Sequence, residues 1–137
     1  MTGRIRVAGK FFFRGDQKLF LRGVSYGPFK AGTHGQQYPE KDAVSRDFAL
    51  MRDLGVNCIR TYTAPPAWLL AMAEEYGLWV MAGIPWAEHI TFLDSRAAQK
   101  QIRTAVTAVV EECKGYQSLF CYLVGNEIPP DLSLIHI

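Results

Sequence analysis

Apolar residues along this chain follow two rhythms: short compact runs suited to strands, and repeats every three to four residues suited to helices. Ile5 to Phe13 and Leu19 to Val24 are rich in β-branched and aromatic residues. Arg14-Gly15-Asp16-Gln17 between them has turn chemistry, so the opening predicts a β-hairpin. Gly27 to Pro39 is dense in Gly, Pro and Thr, a loop by composition. Val44, Phe48, Met51 and Leu54 then fall on one helical face, and Gly55 is placed to end that helix. Val56 to Thr61 reads as a strand. Pro65-Pro66 opens a second helix whose inner side would carry Trp68, Leu69, Met72, Ala73 and Tyr76, stopped by Gly77. Leu78 to Ile84 is a nearly all-apolar strand, as expected where both faces are covered. Asp94 or Ser95 can cap a longer helix with Ile102, Val106, Val109, Val110 and Cys113 as its inner stripe, and Leu119 to Val124 is a further buried strand.

A hairpin followed by alternating strands and helices implies a parallel sheet in an α/β fold. Both the doubly wound open sheet and the closed (β/α)8 (TIM) barrel share that order. The first turn, Arg22-Gly23-Val24-Ser25-Tyr26-Gly27, is not followed directly by a helix, which weighs against a nucleotide-binding open sheet. The expectation is a TIM barrel truncated after its fourth strand, since a complete one needs roughly 250 residues and the chain has 137. Residues 1–131 form the expected partial barrel domain. Residues 132–137 (Leu-Ser-Leu-Ile-His-Ile) continue no strand or helix pattern and read as a non-native readthrough tail, so His136 carries no functional weight.

Composition narrows the function classes. Hydrophobic residues make up 49% and charged residues 20%, ordinary for a globular domain, and net charge is +2 without a basic run, so no nucleic-acid partner is expected. No apolar stretch approaches the roughly 20 residues of a membrane span. Met1-Thr2-Gly3-Arg4 leads into Ile5 without a signal-peptide core, which suggests a cytoplasmic origin. Cys58, Cys113 and Cys121 are widely spaced among apolar neighbours. That pattern fits buried inert thiols and gives no metal signature, so no metal or cofactor is expected.

Strand C-terminal ends are where α/β folds place working groups. The four ends here offer Ser25 and Tyr26, Arg60 and Tyr62, Trp86 with Glu88 and His89, and Asn126 with Glu127. Aromatic rings stack on sugar faces while amides and carboxylates fix hydroxyls, so this rim suits a carbohydrate substrate. Glu127 is the sharpest candidate. It emerges from an apolar run, where burial raises a carboxyl pKa towards that of a general acid. A structural ion pair, for example with Arg60, is the plainer alternative. Tyr26, Tyr62, Trp86 and His89 are candidate substrate contacts. Trp68, Tyr76 and Phe48 lie on apolar stripes and read as core.

Three segments carry a family resemblance. Leu21-Arg22-Gly23-Val24-Ser25-Tyr26 resembles the first barrel strand of clan A glycoside hydrolases, particularly the family 2 catalytic domain. Gly55 to Tyr62 is similar to their second strand, and Gly125-Asn126-Glu127 to the Asn-Glu pair ending their fourth. Ile-Arg-Thr-Tyr-Thr-Ala-Pro-Pro also resembles β-1,3-glucan transglycosylases of the same clan. Gly-Asn-Glu-Ile-Pro-Pro resembles family-2-like barrel modules joined to a glycosyltransferase domain. The resemblance implies a retaining glycosidase or transglycosylase acting on β-linked glycans, with Glu127 as acid/base, Asn126 on the sugar 2-hydroxyl and Arg60 orienting the nucleophile. That nucleophile ends a seventh strand, beyond these residues, and Glu88 on the third strand is a poor substitute. The fragment alone is therefore expected to be inactive and to self-associate through open sheet edges. The alternatives are a non-catalytic carbohydrate-binding or regulatory barrel module, and a small open-sheet domain of unrelated activity.

Overall fold

The computed structural model describes residues 5–32, 35–84 and 95–125. It opens with three short antiparallel strands, β1 (Ile5–Ala8), β2 (Phe11–Arg14) and β3 (Gln17–Leu19). The expected single hairpin is thus a three-stranded meander. Gly9 and Gly15, both at positive φ, turn the chain twice, and the first turn splits the run read as one strand. The expected second arm, Leu19 to Val24, also divides. Its end becomes β4 (Gly23–Ser25), which leaves the meander for a parallel sheet.

That sheet has the order β4-β5-β6-β7, with β5 Cys58–Arg60, β6 Trp79–Gly83 and β7 Leu119–Leu123, every pair parallel. Helices α1 (Lys41–Asp53), α2 (Ala67–Tyr76) and α3 (Arg96–Cys113) make the crossovers. Gly77 in the left-handed region ends α2, and the Ser95 hydroxyl caps α3 by accepting from Ala98 N–H at 3.4 Å.

One hydrophobic cluster joins Val44 and Phe48 of α1, Leu69, Leu70 and Ala73 of α2, and Val109 and Cys113 of α3 to Ile59 and Val80 of the sheet. Ile59 and Val80 are in register, so they share a face, and all three helices pack on it. Cys58, Arg60, Trp79 and Met81 alternate to the opposite face. Among the described residues the helices thus cover one face of the sheet, whereas a doubly wound sheet is covered on both. The meander packs at the N-terminal ends of the strands, where Phe12 meets Phe120 at 4.9 Å and Phe120 meets Trp79 at 6.1 Å, both edge-on.

Some inner-face expectations need correction. Leu54 follows the last helical turn of α1 and is 82% exposed. On α2 the buried residues are Leu69, Leu70 and Ala73, while Trp68, Met72 and Tyr76 are half-buried at the margin of the cluster. Strand β7 is half-buried throughout because it is a sheet edge in the described residues.

The connections are fastened by side chains. Asn57 imitates a strand partner: its Oδ1 accepts from Arg22 N–H at 2.7 Å and its amide donates to the Phe20 carbonyl at 2.8 Å. The Glu74 carboxylate accepts from the amides of Gln117 and Ser118, and buried Ser118 donates to the Leu70 carbonyl at 2.8 Å. These contacts tie α2 to the turn that launches β7.

Candidate active-site rim

At the C-terminal end of β5, strand alternation sends Ile59 into the helix-side core and Arg60 to the opposite face. Ser25, Arg60 and Met81 are level across three strands, and Met81 is level with Cys121 on the fourth. The Arg60 guanidinium carbon lies 4.7 Å from the centre of the Tyr62 ring, a cation–π arrangement that fixes both groups. Sequence reasoning placed these two residues on one rim, and they lie together there.

Tyr26 goes elsewhere. It is 5% exposed, its ring packs edge-on against Phe29 at 4.9 Å and tilted against Phe48 at 5.5 Å, and its hydroxyl donates to Asp47 Oδ2 at 2.7 Å. Burial first, then the hydrogen bond and charge of Asp47, hold the phenol well above its ordinary pKa. The expectation that Tyr26 contacts substrate is corrected on that basis: it anchors α1 to the sheet. Trp86, Glu88, His89, Asn126 and Glu127 lie outside the described residues, as do residues 132–137.

Three supporting residues escaped the sequence reading. Thr61, 1% exposed, accepts from Gly83 N–H at 3.1 Å through Oγ1 and donates its own amide to the Met81 carbonyl at 3.0 Å. Gly83 lets the β5 exit approach β6 closely, and Asp47 holds Tyr26. A glycine inside an apolar strand run was the available signal for close backbone approach. Beyond Tyr62, Thr63 grips Tyr38: the Tyr38 hydroxyl donates to the Thr63 carbonyl at 2.9 Å and accepts from Thr63 Oγ1 at 3.1 Å.

Among the described residues, no group of three or more His, Cys, Asp or Glu side chains could hold a metal. Likewise, no helix among them is long and apolar enough to cross a membrane. The cysteines are free, and burial raises all three thiols, Cys58 to about 11.

Comparison with known proteins adds the family. The chain is 27% identical over 137 residues to a 1,3-beta-glucanosyltransferase of Aspergillus fumigatus, covering 93% of this chain and 29% of the relative. It is 27% identical over 134 residues to a beta-galactosidase of an Arthrobacter species, covering 90% of this chain and 13% of the relative. In three dimensions it resembles a β-glucuronidase of Ruminococcus gnavus with TM-score 0.75 and 17% identity, covering 96% of this chain and 23% of that one. This likeness shows an α/β fold shared with TIM-barrel glycosidases. The chain thus spans less than a third of the length of these relatives. The expectation of a cytoplasmic origin is overturned. The matched relatives are fungal 1,3-beta-glucanosyltransferases, which give a cytoplasmic origin no support, and the first residues of a chain spanning so little of them say nothing about export. The glucanosyltransferase profile of glycoside hydrolase family 72 matches residues 1–134, and the chain belongs to that family.

Proposed function

We propose that this chain is the first half of a closed (β/α)8 barrel, comprising residues 1–131, whose parent protein cleaves and transfers β-linked glucan chains with retention. The observation that carries this reading is the family match over residues 1–134 together with Gly125-Asn126-Glu127 directly behind β7. Among the described residues, the helical cover on one face, the two sheet edges without a strand partner and the apolar exposure of Val24 on β4 and Leu50 on α1 support a continuing barrel wall.

In this reading Glu127 gives its proton to the glycosidic oxygen as the bond to the anomeric carbon breaks. A second carboxylate, supplied from outside residues 1–137, attacks that carbon and forms a glycosyl-enzyme. Glu127, now ionised, takes a proton from an acceptor hydroxyl, which displaces the enzyme carboxylate. A sugar hydroxyl as acceptor gives transfer; water gives hydrolysis. Asn126 holds the 2-hydroxyl, and Arg60, steadied by Tyr62, orients the nucleophile. Trp86 and His89 complete the sugar contacts. The names of the fungal relatives, 1,3-beta-glucanosyltransferases, favour transfer on a β-1,3-glucan. The Gly-Asn-Glu-Ile-Pro-Pro run also resembles barrel modules joined to a glycosyltransferase domain, which makes such a domain a candidate neighbour in the parent protein.

The test is the uninterrupted parent protein assayed on β-1,3-gluco-oligosaccharides. Glu127→Gln should lower kcat by about 10²–10⁴-fold. Full activity in that variant would refute the assignment.

A further inference from the structure

We infer that a cavity between the loop after β4 and the start of α2 is an additional glycosyl-binding subsite, taking one ring of a β-linked glucan chain. The inference rests on the carbohydrate reading above and extends it to a site that involves neither Asn126 nor Glu127. The cavity measures about 270 Å³, just below the size of about 300–1,000 Å³ typical of small-molecule sites, which suits a single sugar ring. Its lining includes the Trp68 indole, the phenol of Tyr38, the carboxamide residues Gln36 and Gln37, and the apolar Ala64 and Pro66.

This lining selects a ligand class. The lining itself carries no charged side chain among the described residues; Lys41, outside it, is the cation that neighbours its indole. An aromatic face beside carboxamides matches a neutral polyhydroxylated ring, whose C–H face stacks on indole while its hydroxyls exchange hydrogen bonds with amides.

The platform is rigid before any ligand arrives. Trp68 meets Tyr38 edge-on at 6.5 Å and 87°, and Lys41 Nζ lies 5.8 Å from the centre of the indole. Tyr38 is locked by its two hydrogen bonds to Thr63. Thr63 directly follows Tyr62, which stacks with Arg60. The cavity is therefore built on the same loop that leaves the candidate active-site rim, one residue from its aromatic contact. Preorganised aromatic groups give affinity because little side-chain freedom is lost on binding.

The three tryptophans, Trp68, Trp79 and Trp86, provide the test. The 137-residue chain labelled with 5-fluorotryptophan gives three ¹⁹F resonances, assigned by single Trp→Phe variants and titrated with a linear β-1,3-linked gluco-pentaose. The Trp68 resonance should shift saturably, and Gln37→Ala, at an exposed position, should weaken the apparent affinity about three- to tenfold. Trp79, buried against Phe120, should keep its shift in every variant and so reports an intact fold. A shift confined to Trp86 would overturn the subsite while leaving the carbohydrate reading in place. No shift at any tryptophan would sink both. An equal Trp68 response to an α-1,4-linked gluco-pentaose would overturn the assignment to β-linked glucan.

Discussion

The Gly83 amide donates to Thr61 Oγ1 at 3.1 Å, and a Cβ on Gly83 would lie 2.5 Å from the Thr61 carbonyl oxygen and 2.7 Å from the Tyr62 carbonyl carbon. Both clashing atoms are backbone, so relief requires the β5 exit to move. Gly83→Ala should destabilise the chain by about 1–3 kcal/mol through overpacking, read as a lower denaturant midpoint. It should also weaken β-1,3-glucan binding, because Tyr62 and Thr63 travel with the displaced segment. Unchanged stability and affinity would show that the close approach is dispensable.

That contact also shows what could be read from the sequence. Strand and helix order was legible because buried parallel strands and amphipathic helices have distinct periods, and Ile59, Val80, Phe48 and Val109 fell where those periods put them. Between the two architectures sharing that order, the residues offered only the missing helix behind the first turn and a family resemblance in favour of the barrel, since the side of the sheet a helix covers depends on crossovers rather than on local pattern. Tyr26 misled for a related reason. A residue just past a strand end can face either side, and its turn towards Asp47 is set by a helix residue 21 positions later. Arg60 and Tyr62, separated by one residue on an alternating segment, were predictable neighbours. Gly9 split the opening strand through a local left-handed turn that the apolar run around it concealed.

The divergence of the two tyrosines is testable. Tyr26→Phe removes a hydrogen bond to a carboxylate in a partly buried setting and should cost about 1–3 kcal/mol of stability with glucan affinity unchanged. Tyr62→Ala removes the ring beside Arg60 and should reduce glucan affinity severalfold with a smaller stability loss, because Tyr62 is only half-buried. Denaturation curves and binding titrations on both variants separate the roles; loss of affinity in Tyr26→Phe would return that residue to the rim.

Burial of Cys58 predicts an alkaline limit on stability. The thiol is 1% exposed and pushed up from 9.0 to about 11, chiefly by desolvation of the thiolate. A folded-state pKa above the unfolded value gives stability that is complete below pH 9 and is lost as pH rises towards 11. The loss is on the order of 3 kcal/mol for this group. Cys58→Ala should flatten the decline in unfolding free energy between pH 9 and 11, although Cys113 and Cys121, also raised by burial, keep part of it. In the native chain at pH 8, Cys58 should resist alkylation. Modification at the rate of an unfolded control would contradict the buried, neutral thiol.

The sheet edges predict association. In the order β4-β5-β6-β7 the outer sides of β4 and β7 lack a strand partner within the described residues, and Val24 on β4 and Val124 just past β7 are 38% and 51% exposed. Phe20 before β4 is 62% exposed and Leu50 on α1 the same. Open strand edges and exposed apolar side chains at the two borders template strand addition by another chain. The 137-residue chain should therefore sediment as dimers or larger species at micromolar concentration. Val24→Lys and Val124→Lys together should shift it towards monomer, because a charged side chain on an edge opposes pairing. The association should vanish in the uninterrupted parent protein, where the remaining strands would occupy both borders. A monodisperse monomer from the unmodified chain, unfolding in one cooperative transition, would mean that these four strands satisfy their own edges and would count against a continuing barrel.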